Sequence, residues 1–153
     1  MIEQATEVND LAETVDFDTD QQLIWAEQKA MYAAFLADDR DRIDRWIDPT
    51  ATIWDAVHEP IANGLDDLNR IRAGRPQGTD RPVVTAMTVN SPIISVYGDT
   101  AIGRHVLHVE SASATRRDAR TSEVVRVSSA WRRVADRWWL VHSHEDIYST
   151  RAP

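Results

Sequence analysis

Cysteine is absent from the 153 residues. That excludes disulfides, thiolate metal sites and cysteine nucleophiles together, and leaves the redox compartment open. Glycine is scarce, at five residues, and none of them stands in a GxGxxG or GxxxxGK phosphate loop. No serine sits in a GxSxG elbow. No apolar stretch approaches the ~18 residues of a membrane span. The first residues are acidic rather than basic-then-apolar, so no secretory leader is expected either. Lysine occurs once, and the other sixteen bases are arginine, a choice that suits ion pairing. With 25 acids against 17 bases the net charge is −8, which argues against a general nucleic-acid or anionic-membrane binder. A soluble, cytoplasmic protein is the expectation.

What is present is ordinary for one globular domain: 42% hydrophobic and 27% charged residues in 153, enough chain to bury a sizeable core. The acids are unevenly placed. Residues 1–50 hold 13 acids and 4 bases, and the first twenty carry seven acids and no base. Residues 1–20 therefore read as an acidic, solvated and partly disordered lead-in, or as a short capping helix packed on the domain or on a partner subunit, before a single domain over 21–153.

Asp20 is a plausible N-cap for a helix with Leu23, Ile24, Met31, Ala34 and Phe35 at helical spacing. A shorter helix over Arg40–Trp46 stops at Asp48-Pro49. TATIWDAV alternates as a strand, HEPIANG turns, and a third helix runs from Gly64 to Gly74. After residue 80 the period changes to two, in four segments rich in β-branched and aromatic residues. Gly98-Asp99 and Ala135-Asp136 supply hairpin turns, and Pro92 marks an edge or a bulge. Three helices followed by four long strands predict an α+β layer fold on an antiparallel sheet.

In this order the chain resembles the SnoaL-like group of the nuclear-transport-factor-2-like (NTF2-like) superfamily, over about residues 21–148. The resemblance is carried by Asp48-Pro49 leading into Ala51-Thr52-Ile53-Trp54-Asp55, by Gly64 and by Gly98-Asp99-Thr100-Ala101. Trp131-Arg132-Arg133 before Trp138-Trp139-Leu140-Val141-His142 completes it. It implies a cone whose curved sheet and helices enclose one pocket. It also implies kinship with ketosteroid isomerases, polyketide cyclases and dehydratases, and with the kinase association domain, so the fold leaves the function open.

Asp55 lies between Ile53 and Val57 on one strand face, as a solvated strand end or as a desolvated general base. The resemblance places it where the isomerases carry their proton-moving aspartate. Tyr32 is a core tyrosine or, by the resemblance, an oxyanion donor. Where the isomerases hold a second, protonated acid, this chain has Ser129, a weaker donor and a departure from that chemistry. His105 shares a face with Ala101, Gly103, Leu107 and Val109, a pocket wall with room for a ligand, or a strand histidine bonded to a neighbour. His142 and His144 point one way and suggest a metal face with Asp146, but the resemblance turns them toward a partner subunit. Ser143 and Glu145 then reach the pocket. Arg116-Arg117-Asp118 reads as a solvated turn.

Two functions follow as expectations. One is cofactor-free, metal-free acid/base catalysis of the isomerase, cyclase or dehydratase type on an apolar carbonyl compound. Asp55, Tyr32 and His105 would be catalytic there, and Ser129, Trp131, Ser143, Glu145, Val57 and Leu107 would line the substrate. The other is a non-catalytic ligand-binding or oligomerisation module. A homodimer through the sheet face is expected in either case, because strict alternation sets Val106, His108, Arg126, Ser128 and Ala130 beside Trp138, Leu140, His142 and His144 on the face away from the helices.

Overall fold

Asp18, not Asp20, begins the first long helix. In the computed structural model, which describes residues 2–116 and 118–151, the Asp18 side chain accepts from the Gln21 amide and the Gln21 side chain answers the Asp18 amide, a capping box. The elements are β1 (Val8–Asp10), α1 (Thr19–Leu36), α2 (Arg40–Asp44), β2 (Ile47–Trp54), β3 (Ala62–Asn63), α3 (Gly64–Ala73), a 3-10 turn (Gly78–Asp80), β4 (Val83–Tyr97), β5 (Thr100–Ala112), β6 (Arg120–Val134) and β7 (Arg137–Arg151). Among the described residues no helix is long and apolar enough to cross a membrane.

The seven strands form one sheet in the order β1-β4-β5-β6-β7-β2-β3. It is mixed rather than antiparallel: β4 through β7 run antiparallel, but β2 joins β7 and β1 joins β4 in parallel. Within the acidic lead-in, Val8–Asp10 is thus placed on the sheet edge against Met87–Val89. Asp10 is anchored by Lys29 at 2.8 Å and by the Trp25 indole at 3.0 Å.

Hairpin turns fall at Gly98 and at Ala135-Asp136, whose positive φ angles (49° and 62°) are those of a tight two-residue turn. Asn90 pairs with Val106 and Ile93 with Arg104, so Ser91 and Pro92 form a bulge in β4. Gly64 opens α3 with φ +83°, and a Cβ there would lie 2.7 Å from the Pro49 carbonyl oxygen, so only glycine fits. Arg116 and Asp118 are exposed, while Arg117 of that turn lies outside the described residues.

One face of the sheet carries the core. Ala101, Leu107, Val125, Val127 and Trp131 meet Ile24, Trp25, Met31 and Tyr32 of α1. Here the expected face assignment is corrected. Ala130 pairs with His142 but Trp131 pairs with Leu140, which leaves Val141 as an extra residue in β7. The bulge inverts the alternation. Trp138 and Leu140 therefore join the core at 3% exposure each, while His142 and His144, paired with Ala130 and Ser128, stay on the outer face.

Arginine ties the layers together. Glu27 of α1 takes a two-pronged grip from Arg42 of α2 at 2.8 and 2.9 Å, and Arg137 of β7 reaches it at 3.2 Å. Asp20 accepts from Arg133 and from the Trp138 indole. Trp138→Glu is accordingly expected to unfold the domain. Burying a carboxylate in place of an indole costs upward of about 4 kcal/mol. Urea denaturation checks this, and a soluble variant of native stability would return Trp138 to the outer face.

Candidate functional site

Two polar clusters form, one between α1 and the sheet and one at the end of β2. The inner cluster is built by the helical spacing of Trp25, Gln28 and Tyr32, which share one face of α1, set against β5 and β6. The Tyr32 hydroxyl lies 2.6 Å from His105 Nε2, and Trp25 meets the same imidazole edge-on at 5.2 Å. Burial lowers the His105 pKa to about 4, so at neutral pH the ring is uncharged. Burial, and next the Glu145 charge, hold the Tyr32 phenol well above its ordinary value. The phenol therefore keeps its proton, and its hydroxyl shares one hydrogen bond with Nε2 whose donor is set by the imidazole tautomer.

Trp131 Nε1 donates to Ser129 Oγ at 2.8 Å. Gly103 leaves the room, since a Cβ there would come within 2.8 Å of that oxygen. The space left among Trp25, Gln28, His105, Ser129 and Trp131 is about 10 Å³, the room of a single water. The expected pocket beside His105 is thus filled by side chains.

The outer cluster borders an open cleft of about 490 Å³ between the chain leaving β2 (Trp54 to Glu59) and His144, Glu145 and Asp146 of β7. Parallel pairing of Ile53 with Ser143 and of Trp54 with His144 brings these segments together. β2 ends at Trp54, one residue before Asp55. The Asp55 carboxylate is ion-paired with Arg75, which follows α3, and it also accepts from the Val57 amide at 3.0 Å. Glu145 stands beside this pair. Burial, reinforced by the Asp55 charge and partly relieved by Arg75, pushes its carboxyl up to about 7. Trp54 packs on the His144 ring at 5.4 Å, and Thr52 Oγ1 holds His142 Nδ1 at 2.8 Å. Among the described residues no group of three His, Asp or Glu side chains is arranged to hold a metal ion.

The structure therefore divides the sequence candidates. Tyr32, His105, Ser129 and Trp131 meet inside, with Leu107 buried in the core beside them. Asp55, Val57 and Glu145 meet on the cleft, where Val57 is 76% exposed. His105 does not line the cleft and Asp55 does not line the inner space, so the expected acid/base pairing of these two is not assembled around one cavity. Ser143 is partly buried between β2 and β6. Sequence reasoning passed over Arg75, Trp25 and Trp54. Arg75 follows the predicted end of the third helix at Gly74, and nothing local to it hints at its carboxylate partner.

No family profile matches the sequence, and no curated protein matches it. The fold has clear counterparts among solved structures. A candidate dehydratase of the NTF2-like family from Streptomyces avermitilis matches with TM-score 0.71 at 18% identity, over 87% of this chain and 99% of that one. A ketosteroid isomerase-like protein from Erwinia carotovora atroseptica gives 0.69 at 16% identity, over 87% and 99%. The CaMKII hub of S. rosetta gives 0.69 at 20%, again over 87% and 99%. These matches define the fold class as NTF2-like. They leave the chemistry to the residues themselves.

The two titrating groups predict opposite pH effects on stability. Glu145 holds its proton more tightly folded than unfolded, so its contribution is lost as pH rises from 4.5 toward about 7. His105 binds its proton more weakly folded, so stability falls as pH drops from 6.5 toward about 4. Glu145→Gln is expected to gain on the wild type by roughly 1–3 kcal/mol as pH is raised from about 5 to about 8. Urea midpoints across that range check it, and a pH-independent gap would contradict the burial of Glu145.

Proposed function

We propose that the protein is a cofactor-free acid/base enzyme of the isomerase, cyclase or dehydratase type, acting on an apolar carbonyl-containing compound in the rim cleft. Glu145 is the proton-moving group. The observation that carries this reading is a carboxyl with a pKa near 7 on the wall of a cleft large enough for a small molecule. Such a group both takes and returns a proton at neutral pH. Its carboxylate removes a proton from the carbon next to the carbonyl, and the resulting acid delivers that proton at a second carbon. The Asp55–Arg75 pair sets the proton affinity, since the Asp55 charge raises it and Arg75 lowers it. Tyr32, whose phenol feels the Glu145 charge, serves as a positioning residue beneath the site.

Glu145→Gln is expected to lower kcat/KM by about 10²–10⁴ on a panel of unsaturated ketones followed by ultraviolet absorbance. Asp55→Asn is expected to keep activity and move the rising limb of the pH–rate profile to lower pH, because Glu145 loses a neighbouring negative charge. Full activity in Glu145→Gln would remove this mechanism.

One observation favours the non-catalytic alternative: the space beside His105 is about 10 Å³, the room of a single water. A protein that binds many carbonyl compounds, by tryptophan fluorescence, and turns over none would be such a module. In either case we propose a homodimer through the outer sheet face, where Ile93, Tyr97 and Ile102 are 59%, 66% and 41% exposed. Pairing that face with its own copy about a two-fold axis would remove the apolar area from water. Light scattering at micromolar concentration should give a dimer for the wild type and a monomer for Ile102→Glu. A monomeric wild type would overturn the assembly.

A further inference from the structure

We propose that the N-terminal segment from Gln4 to Ala12 is a releasable strap that holds Trp25 shut against His105, and that letting it go opens the space beside His105 to a small, neutral, planar molecule. The inference goes beyond the rim chemistry and does not depend on it. Asp10 is the clasp. Its carboxylate, 6% exposed, accepts from the Trp25 indole at 3.0 Å and from Lys29, the chain's one lysine, at 2.8 Å. Trp25 is itself 6% exposed and sets its ring edge-on to His105, with 5.2 Å between the ring centres. One indole thus joins the strap to the inner cluster. Without Asp10 the Trp25 N–H loses its carboxylate, and a buried donor left unpaired is penalised until the ring turns toward water.

The strap is held lightly. Its strand β1 has three residues, against fifteen in β4, on whose edge it lies. Beyond that pairing, the Ala5 amide donates to the Val84 carbonyl at 2.8 Å and the Leu11 amide to that of Val89 at 3.1 Å, while the Gln4 side chain reaches the Leu36 carbonyl at 3.2 Å. Ala5, Val8 and Ala12 turn small side chains inward, whereas Leu11 is 69% exposed, so the segment anchors little apolar area. Residues 3–16 hold five acids and no base, and like charges favour release into water. Segments with few buried contacts open first. What the Trp25 ring covers is polar: Gln28, His105 and Ser129 border the same space of about 10 Å³, walled by Ile24, Ile94 and Trp131. With the ring withdrawn, that space grows to receive a flat molecule bearing one hydrogen-bonding group. The burial that keeps His105 uncharged penalises a charged ligand there as well.

The test uses the full chain labelled with 5-fluorotryptophan and read by fluorine NMR, the Trp25 signal being the one that Trp25→Phe removes. Asp10→Ala should carry the Trp25 signal to a solvent-exposed position and leave those of Trp46, Trp54 and Trp139 unmoved. Leu11→Pro, which deletes the amide bonded to Val89 and keeps the Asp10 carboxylate, should draw it the same way. Glu7→Gln, an exposed acid of the same strap, should not. Indole should saturate Asp10→Ala at least about tenfold more tightly than the wild type, because the open fraction sets the apparent affinity, and indole-3-acetate should not bind. In the wild type the Ala5 and Leu11 amides should exchange at least about tenfold faster than those of Leu107 and Val127. An unmoved Trp25 signal in both strap variants, equal indole affinity in Asp10→Ala and the wild type, or Ala5 and Leu11 amides as protected as those of β5 and β6 would each overturn the strap. Indole-3-acetate bound as tightly as indole would overturn the neutral ligand. Should Asp10→Ala unfold and collapse all six tryptophan signals, Leu11→Pro takes its place in each comparison.

Discussion

Val141 has no partner across the last hairpin, and that unpaired residue decides which side chains face the core. On its N-terminal side Trp138 and Leu140 point at the helices; on its C-terminal side Ser143, Glu145 and Ile147 share the face of Val125, Val127 and Ser129. Without the extra residue, placing Trp138 and Leu140 in the core would carry His142 and His144 inward with them and send Glu145 to the outside. The bulge allows one strand to give two large apolar groups to the core and, five residues beyond Leu140, a carboxyl to the rim. It also leaves His142 and His144 outside, where Thr52 and Trp54 of β2 hold them.

From that arrangement comes a connected series of polar groups running from the interior to the rim. His105 is hydrogen-bonded to Tyr32, Tyr32 responds to the Glu145 charge, Glu145 responds to Asp55, and Asp55 is held by Arg75. The environments become wetter along the series, and the protonation states change with them. The innermost imidazole is neutral because burial penalises its charge. Glu145, partly buried beside another carboxylate, has its carboxyl pushed up to about 7. Asp55, at the opening, has an arginine to pair with.

The cone is closed by bulk. Trp25 from α1 and Trp131 from β6 occupy the space above His105, and the Ser129 hydroxyl fits beneath the indole nitrogen only because residue 103 has no side chain. Interiors packed this closely tolerate little intrusion. The open volume therefore lies between β2 and β7, where parallel pairing leaves a strand end and a six-residue loop segment, Trp54 to Glu59, unsupported by helix. Chemistry or binding at the rim is consistent with this filling, whereas chemistry inside the cone would require Trp25 or Trp131 to move.

Local signals determined much of the fold. Gly98-Asp99 and Ala135-Asp136 marked the hairpins, helical spacing from Ile24 to Leu36 marked α1, and Pro92 marked an edge or a bulge, because each rests on backbone conformations of a few neighbouring residues. Period-two alternation also set His105 on one strand face with Ala101, Gly103 and Leu107, and that face is the buried one. Tertiary structure alone decided the rest. The Val141 bulge leaves no local mark, being a compromise between two ends of β7 that face different partners. The parallel joining of β1 to β4 and β2 to β7 brings together segments far apart in the chain, and with it the cleft. The Asp55–Arg75 pair spans twenty residues, and the Glu145 pKa depends on burial and on a charge ninety residues away. Sequence can name such residues, but their electrostatics are fixed by distance in space, which only the packed chain sets.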